Sequence, residues 1–229
     1  MKSRDIRQKI WRFLKPAKTI PHTSWTAKTL WSVTPRNFCY LIVGLSLFGI
    51  GEALLIQSKI GNSPWSVFAQ GLSLHTPLTI GQSTAITSIG VLALWIPLRQ
   101  KPGFGTLTNI VVISVFVQIG VDHIPGVTLN FPLQLLYVIV GIGLVGFGSA
   151  IYITCGLGPG PRDGLMTSLH KKSGIRIARV RLTIEVIVLL VGATLGGSVG
   201  LGTAMFALFI GSSIATSLNL VAKYSNRLG

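Results

Sequence analysis

Apolar and polar residues fall along this chain in blocks rather than in short alternation. Six predominantly apolar runs stand out, at about Phe38 to Gln57, Ile80 to Leu98, Gly105 to Gly120, Leu133 to Thr154, Leu182 to Gly197 and Leu201 to Ala222. A helix needs about 20 apolar residues to cross the hydrocarbon of a bilayer, so each run predicts a membrane span, the third and fifth being short. Between runs one and two, and again between runs four and five, lies a stretch too polar to cross and too apolar to be a plain loop, at residues 61–72 and 158–169. Each opens with a glycine break followed by Pro64 or Pro161. That order reads as a chain reversal and then a short helix with proline at its first position, where a missing N–H is no loss.

The pattern occurs twice. Sliding residues 41–113 by 97 positions lays them without a gap on residues 138–210, and 19 of the 73 pairs are identical, among them Gly44/Gly141, Gly51/Gly148, Gly61/Gly158, Pro64/Pro161 and Gly103/Gly200. Glycine and proline fix backbone geometry, so the duplicated property is a shape. Each copy holds three runs, an odd number, and the second must enter the membrane from the opposite side. The expected fold is therefore an all-α membrane protein of six transmembrane helices in a 3+3 inverted repeat, each half with a short Gly/Pro-broken helix between its first two spans. The expected organisation is a basic leader over 1–37, a first repeat over 38–121 and a second over 133–222.

Composition agrees: 49% hydrophobic and 11% charged residues with mean hydropathy +0.64 describe an integral membrane protein. The net charge of +15 would suit nucleic acid, but the apolar runs hold almost none of the Lys and Arg, so no nucleic-acid partner is expected. Nine basic residues precede the first run, two lie between runs two and three, six between runs four and five, and two after the last. Lys59 alone falls on the other face. The positive-inside rule then places both termini in the cytoplasm, with anionic lipid headgroups as partners at that face. Two readings of the leader stand: an interfacial helix with Ile6, Ile10, Phe13 and Leu14 on one side, or a positive tail that fixes orientation. No short apolar core with a small-residue cleavage site follows it, so the first run is expected to remain a span. Cys39 and Cys155 are expected to be reduced thiols without chemistry.

Candidate chemistry is sparse. Glu52 and Glu185 are ionisable groups inside apolar runs, and such groups mark functional sites by default because inserting them is costly. Glu52 reads either as a proton- or cation-responsive group or as a side chain reaching out to the interface; Glu185, close to Arg179 and Arg181, reads as half of an ion pair. The broken segments contribute Ser63, Pro64 and Trp65 from the first copy, and Gly160, Pro161, Arg162 and Asp163 from the second. If Gly160 caps its helix, Asp163 falls at the third helical position, where a carboxylate complements the helix dipole. Arg162 is free to meet Glu185, a lipid phosphate or an anionic solute. The paired glycines Gly44/Gly51 and Gly141/Gly148 read as packing seams, and the two Gly-x-Gly-Thr motifs at 103–106 and 200–203 as tight turns. No metal-ligand spacing, phosphate loop or nucleophile elbow is present, so no metal, no cofactor and no enzymatic activity is expected.

Gly61-x-Ser63-Pro64-Trp65 and the segment from Gly156 to Met166, each followed by Gly-x-Gly-Thr, resemble the YczE-like family of bacterial integral membrane proteins, itself similar to the YitT type. The resemblance covers about Tyr40 to Leu220 and implies the fold more than an activity. Ser66 stands where that family often carries an acidic residue. The expected function is a small permease or channel-like carrier of an unidentified small solute. The alternative is a non-transporting accessory or regulatory subunit that docks a protein partner through its basic segments.

Overall fold

The computed structural model describes residues 20–228, and every regular element among them is a helix: α1 (Pro35–Ser58), α2 (Pro64–His75), α3 (Ile80–Ala93), α4 (Trp95–Leu98), α5 (Phe104–His123), α6 (Phe131–Thr154), α7 (Pro161–Ser173), α8 (Ile177–Thr194) and α9 (Leu201–Leu228). Their starts are written locally. Thr34 and Thr79 cap α1 and α3 with reciprocal bonds from Asn37 and Gln82, Ser63 caps α2, and proline takes the first position of α1, α2 and α7. Helices α2, α3 and α5 begin 97 residues before α7, α8 and α9, and α1 begins 96 before α6, so the element plan is duplicated along with the sequence.

Among the described residues, five helices are long and apolar enough to cross a membrane: Pro35–Ser58, Ile80–Leu98, Phe104–His123, Phe131–Thr154 and Leu201–Ser225. The span expected at about Leu182 to Gly197 is not among them. Its helix starts earlier, at Ile177, and takes in Arg179, Arg181 and Glu185, three charges that interrupt the apolar stretch.

Helix α1 is central and crosses α6 in antiparallel fashion, with Gly44 facing Gly148 and Gly51 facing Gly141. A Cβ on any of the four would come within 2.4 to 2.9 Å of the opposite carbonyl oxygen, so the seam requires hydrogen in place of a side chain. The packing seams read from the sequence are thus present, each copy supplying one side. On the flanks, α5 packs against α1 as α9 does against α6, and α2 packs on α8 as α7 does on α3. The matching is incomplete: α3 also packs on α5, whereas α8 builds no comparable contact with α9 and leaves Leu182, Ile187 and Leu190 exposed. Those side chains suit a lipid surround.

Residues 20–34 form turns that close the end of α6. Trp25 is buried, stacks on Tyr40 with ring centroids 4.2 Å apart, and donates from its indole N–H to the Thr154 hydroxyl at 3.2 Å. The Thr26 hydroxyl donates to the Thr154 carbonyl, and the Ala27 N–H to the Cys155 carbonyl at 2.8 Å, so the orphan carbonyls of the helix end are satisfied from the leader. This part of the leader packs on the helical body, and α1 begins at Pro35. The amphipathic pattern of Ile6 to Leu14 lies outside the described residues. Cys39 is exposed and Cys155 buried, and both are free thiols.

Candidate functional site

Two glycine turns aim the short helices. Gly61 and Gly158 have φ of +117° and +114°, a region closed to most side chains, and each turn is held by the Gly-x-Gly-Thr motif of the other half. The Gly105 N–H donates to the Leu157 carbonyl, and the Gly202 N–H to the Ile60 carbonyl, both at 2.8 Å. A Cβ on Gly103 would lie 2.3 Å from the Leu157 oxygen, and one on Gly200 2.5 Å from that of Ile60. The motifs expected to be plain turns thus do more: each start of a span clamps the opposite half's broken segment. Trp95 then fixes α7, its ring lying against Gly164 and its N–H donating to the Pro161 carbonyl at 3.0 Å.

The result is that the first turns of α2 and α7 meet at one cavity of about 190 Å³, room for roughly six waters at ~30 Å³ each. Eight pairs of its lining residues stand 97 positions apart, among them Glu52/Ser149, Ser63/Gly160, Pro64/Pro161, Trp65/Arg162 and Ser88/Glu185. The cavity therefore lies where the two copies meet, and all nine candidate residues line it: Glu52, Ser63, Pro64, Trp65, Gly160, Pro161, Arg162, Asp163 and Glu185.

Their partners refine the sequence reading. Glu52 does not reach out to the interface. It is 2% exposed, and one carboxylate oxygen accepts from the hydroxyls of both Ser63 and Ser66 at 2.6 Å. Glu52 thus brings a carboxylate from α1 against Ser66 in the first turn of α2. Asp163 is the third residue of α7, as expected, but its carboxylate accepts from the Tyr152 hydroxyl and makes no capping bond. Arg162 stacks over Trp65, with its guanidinium carbon 4.9 Å from the ring centroid, and its charge is set against Glu52, Asp163 and Glu185. Glu185 is paired with Arg181 at 2.9 Å, as its sequence neighbourhood suggested.

Sequence reasoning missed Tyr152, Ser66, Ser149, Ser88 and Asn109, all of which line the cavity or bond to its carboxylates. Part of this was accessible: applying the 97-residue offset to Glu52 and Glu185 points directly to Ser149 and Ser88. Tyr152 had no such pointer, since its counterpart is Leu55.

The comparisons with known proteins agree on the family. Residues 35–218 match a family of unknown function, DUF6198. An uncharacterized protein of Haemophilus influenzae is 41% identical over 209 residues, covering 91% of this chain and 95% of its own length. The uncharacterized membrane protein YczE of Bacillus subtilis is 32% identical over 186 residues, covering 80% and 85%, and the uncharacterized protein YyaS of the same organism is 25% identical over 199 residues. No solved structure matches. A family match over residues 35–218, most of the chain, together with 32% identity to YczE over 80% of it, places the chain in the DUF6198 family, among the YczE-like integral membrane proteins.

Proposed function

We propose that this protein is a small permease or channel-like carrier of the bacterial cytoplasmic membrane, whose solute site is the cavity between the first turns of α2 and α7. The observation that carries this reading is the composition of the cavity wall. Matched positions of both copies supply it, helix N-termini enter it from both halves, and charges of both signs face it. Its size and mixture of Arg162, Arg181, Glu52, Asp163 and Glu185 suit a small polar or charged solute. The same convergence is what a membrane enzyme would need, but each carboxylate already has a hydrogen-bonding partner, an arrangement better suited to binding than to proton transfer.

In this reading α8 is the sixth crossing and the halves are inverted. Eighteen helical residues reach about 27 Å at 1.5 Å each, close to the ~30 Å hydrocarbon thickness. The antiparallel crossing of α1 with its counterpart α6 fits inversion. Both termini then lie in the cytoplasm, where the basic segments collect.

The test uses a Cys39→Ser background, with Cys155 left buried. A membrane-impermeant maleimide should reach Ser149→Cys and Ser88→Cys in the cavity from both faces of the membrane. Protection from both faces removes the pathway. For topology, Leu129→Cys and Val199→Cys should label from the same face, and labelling from opposite faces eliminates the sixth crossing.

A further inference from the structure

Outside the polar cavity, two recesses run into one another. The first, of about 450 Å³, is lined by Arg99 and Gln100 just after α4 and by Ser168, Lys171 and Lys172 in the latter half of α7. The Ser168 hydroxyl donates to Gln100 Oε1 at 3.1 Å and holds the two elements together. Arg99, Lys171 and Lys172 are exposed, and among the described residues no carboxylate pairs with any of them. The second recess, of about 710 Å³, shares Pro97 and Leu98 with the first and continues from them between α2, α3, α7 and α8. Thr87 is the one polar side chain on its wall, and its hydroxyl is spent on the Ser83 carbonyl. Gly90 keeps the groove open, since nothing lies within 4 Å of where its Cβ would be.

We propose that these two recesses form one binding site for an anionic phospholipid, with its headgroup on Arg99, Lys171 and Lys172 and an acyl chain in the groove. Charge selects the head and apolarity selects the tail, and their contiguity at Pro97 and Leu98 selects a molecule that has both. The length agrees. From Leu98 to Ile86 the groove follows about 18 Å of helix at 1.5 Å per residue, against about 15 Å for the hydrocarbon of one leaflet. A free phosphate would use only the rim, and a neutral lipid only the groove. Trp65 lines the groove, and its ring also walls the polar cavity. The site stands whether or not that cavity passes a solute.

Trp65 gives the site its own reporter. Phosphatidylglycerol with brominated chains, titrated into the full chain in detergent, should quench tryptophan fluorescence saturably, and Trp65→Phe should remove most of that quenching. Neutralising Arg99, Lys171 or Lys172 to Gln should weaken binding about fivefold each, and the triple variant on the order of a hundredfold. Lys28→Gln with Arg36→Gln, basic residues that line neither recess, should leave it unchanged. Gly90→Phe should block the groove and abolish saturation while thermal unfolding stays intact. Brominated phosphatidylcholine should bind no better than the triple variant binds phosphatidylglycerol, and inorganic phosphate should not compete. Equal binding of the two lipids, displacement by inorganic phosphate, or undiminished affinity in the triple variant overturns the assignment.

Discussion

Helices α2 and α7 start alike and are completed with exchanged chemistry. Both follow a left-handed glycine, both have proline first, and both are clamped by the opposite half's Gly-x-Gly-Thr. In the first half the short helix and its cap supply hydroxyls, Ser63 and Ser66, and the long helix supplies the carboxylate, Glu52. In the second half the short helix supplies the carboxylate, Asp163, and the long helix the hydroxyl, Tyr152. Trp65 and Arg162, at equivalent positions, then meet face to face. Duplication fixed the backbone and left the chemistry free to diverge, so one cavity acquired walls of unlike charge from two copies of one shape.

The largest effect is expected where the second half depends on a residue the first copy alone provides. Trp95 is 1% exposed and rests on Gly164, and its counterpart is Gly192. Trp95→Ala should destabilise by about 3–5 kcal/mol, measured by thermal unfolding in detergent, and should loosen α7 selectively. A cost below ~1 kcal/mol would mean that α7 is held by other contacts.

Next come the clamps, where the halves should behave alike. Gly103→Ala and Gly200→Ala each drive a methyl against a carbonyl oxygen at 2.3 and 2.5 Å, and each should cost about 1–3 kcal/mol. A large difference between the two would show that one clamp yields and the other does not.

The carboxylates should then separate the halves. Ser66→Ala removes one of two hydroxyls from Glu52, a group 2% exposed, and should cost about 1.5–3 kcal/mol in denaturant unfolding. Tyr152→Phe removes the Tyr152 bond to Asp163, which is exposed, so water replaces it and the loss should stay below ~1 kcal/mol. The reverse order would refute the claim that burial sets the difference.

These contrasts also explain which parts of the molecule were legible in advance. Pro64, Pro161 and the seam glycines act through their own backbone geometry, so their roles transfer directly from sequence to structure. The C-terminal ends of α1 and α6 were equally plain, because hydropathy changes at Ser58 and Thr154. The face of α1 that carries Glu52 was not, since α1 is surrounded by α5 and α6 and has no polar side to betray its orientation. Tyr152 and Asp163 meet through the Gly158 turn, and that turn depends on a clamp from residues 103–106, more than fifty positions earlier. Helix α8 was misjudged at its start because Arg179 and Arg181 read as a loop, whereas a helix lets both continue onto its first turns with Glu185 as partner for Arg181.

The smallest expected effect addresses the contact that joins the two halves. Arg162 lies 4.9 Å over Trp65 and is half-buried, so a double-mutant cycle with Trp65→Leu and Arg162→Gln should return a coupling of about 1 kcal/mol. The exchange Trp65→Arg with Arg162→Trp sharpens the question. Trp65→Arg alone sets two guanidinium groups against each other and should cost more than Trp65→Leu. Adding Arg162→Trp restores one cation over one ring. If the two positions are equivalent by the repeat, the exchanged protein should recover most of the stability that Trp65→Arg loses. If recovery fails while the coupling is present, the surroundings that Glu52 and Asp163 create have made the halves inequivalent, and the asymmetry of the cavity resides in its carboxylates rather than in the stacked pair.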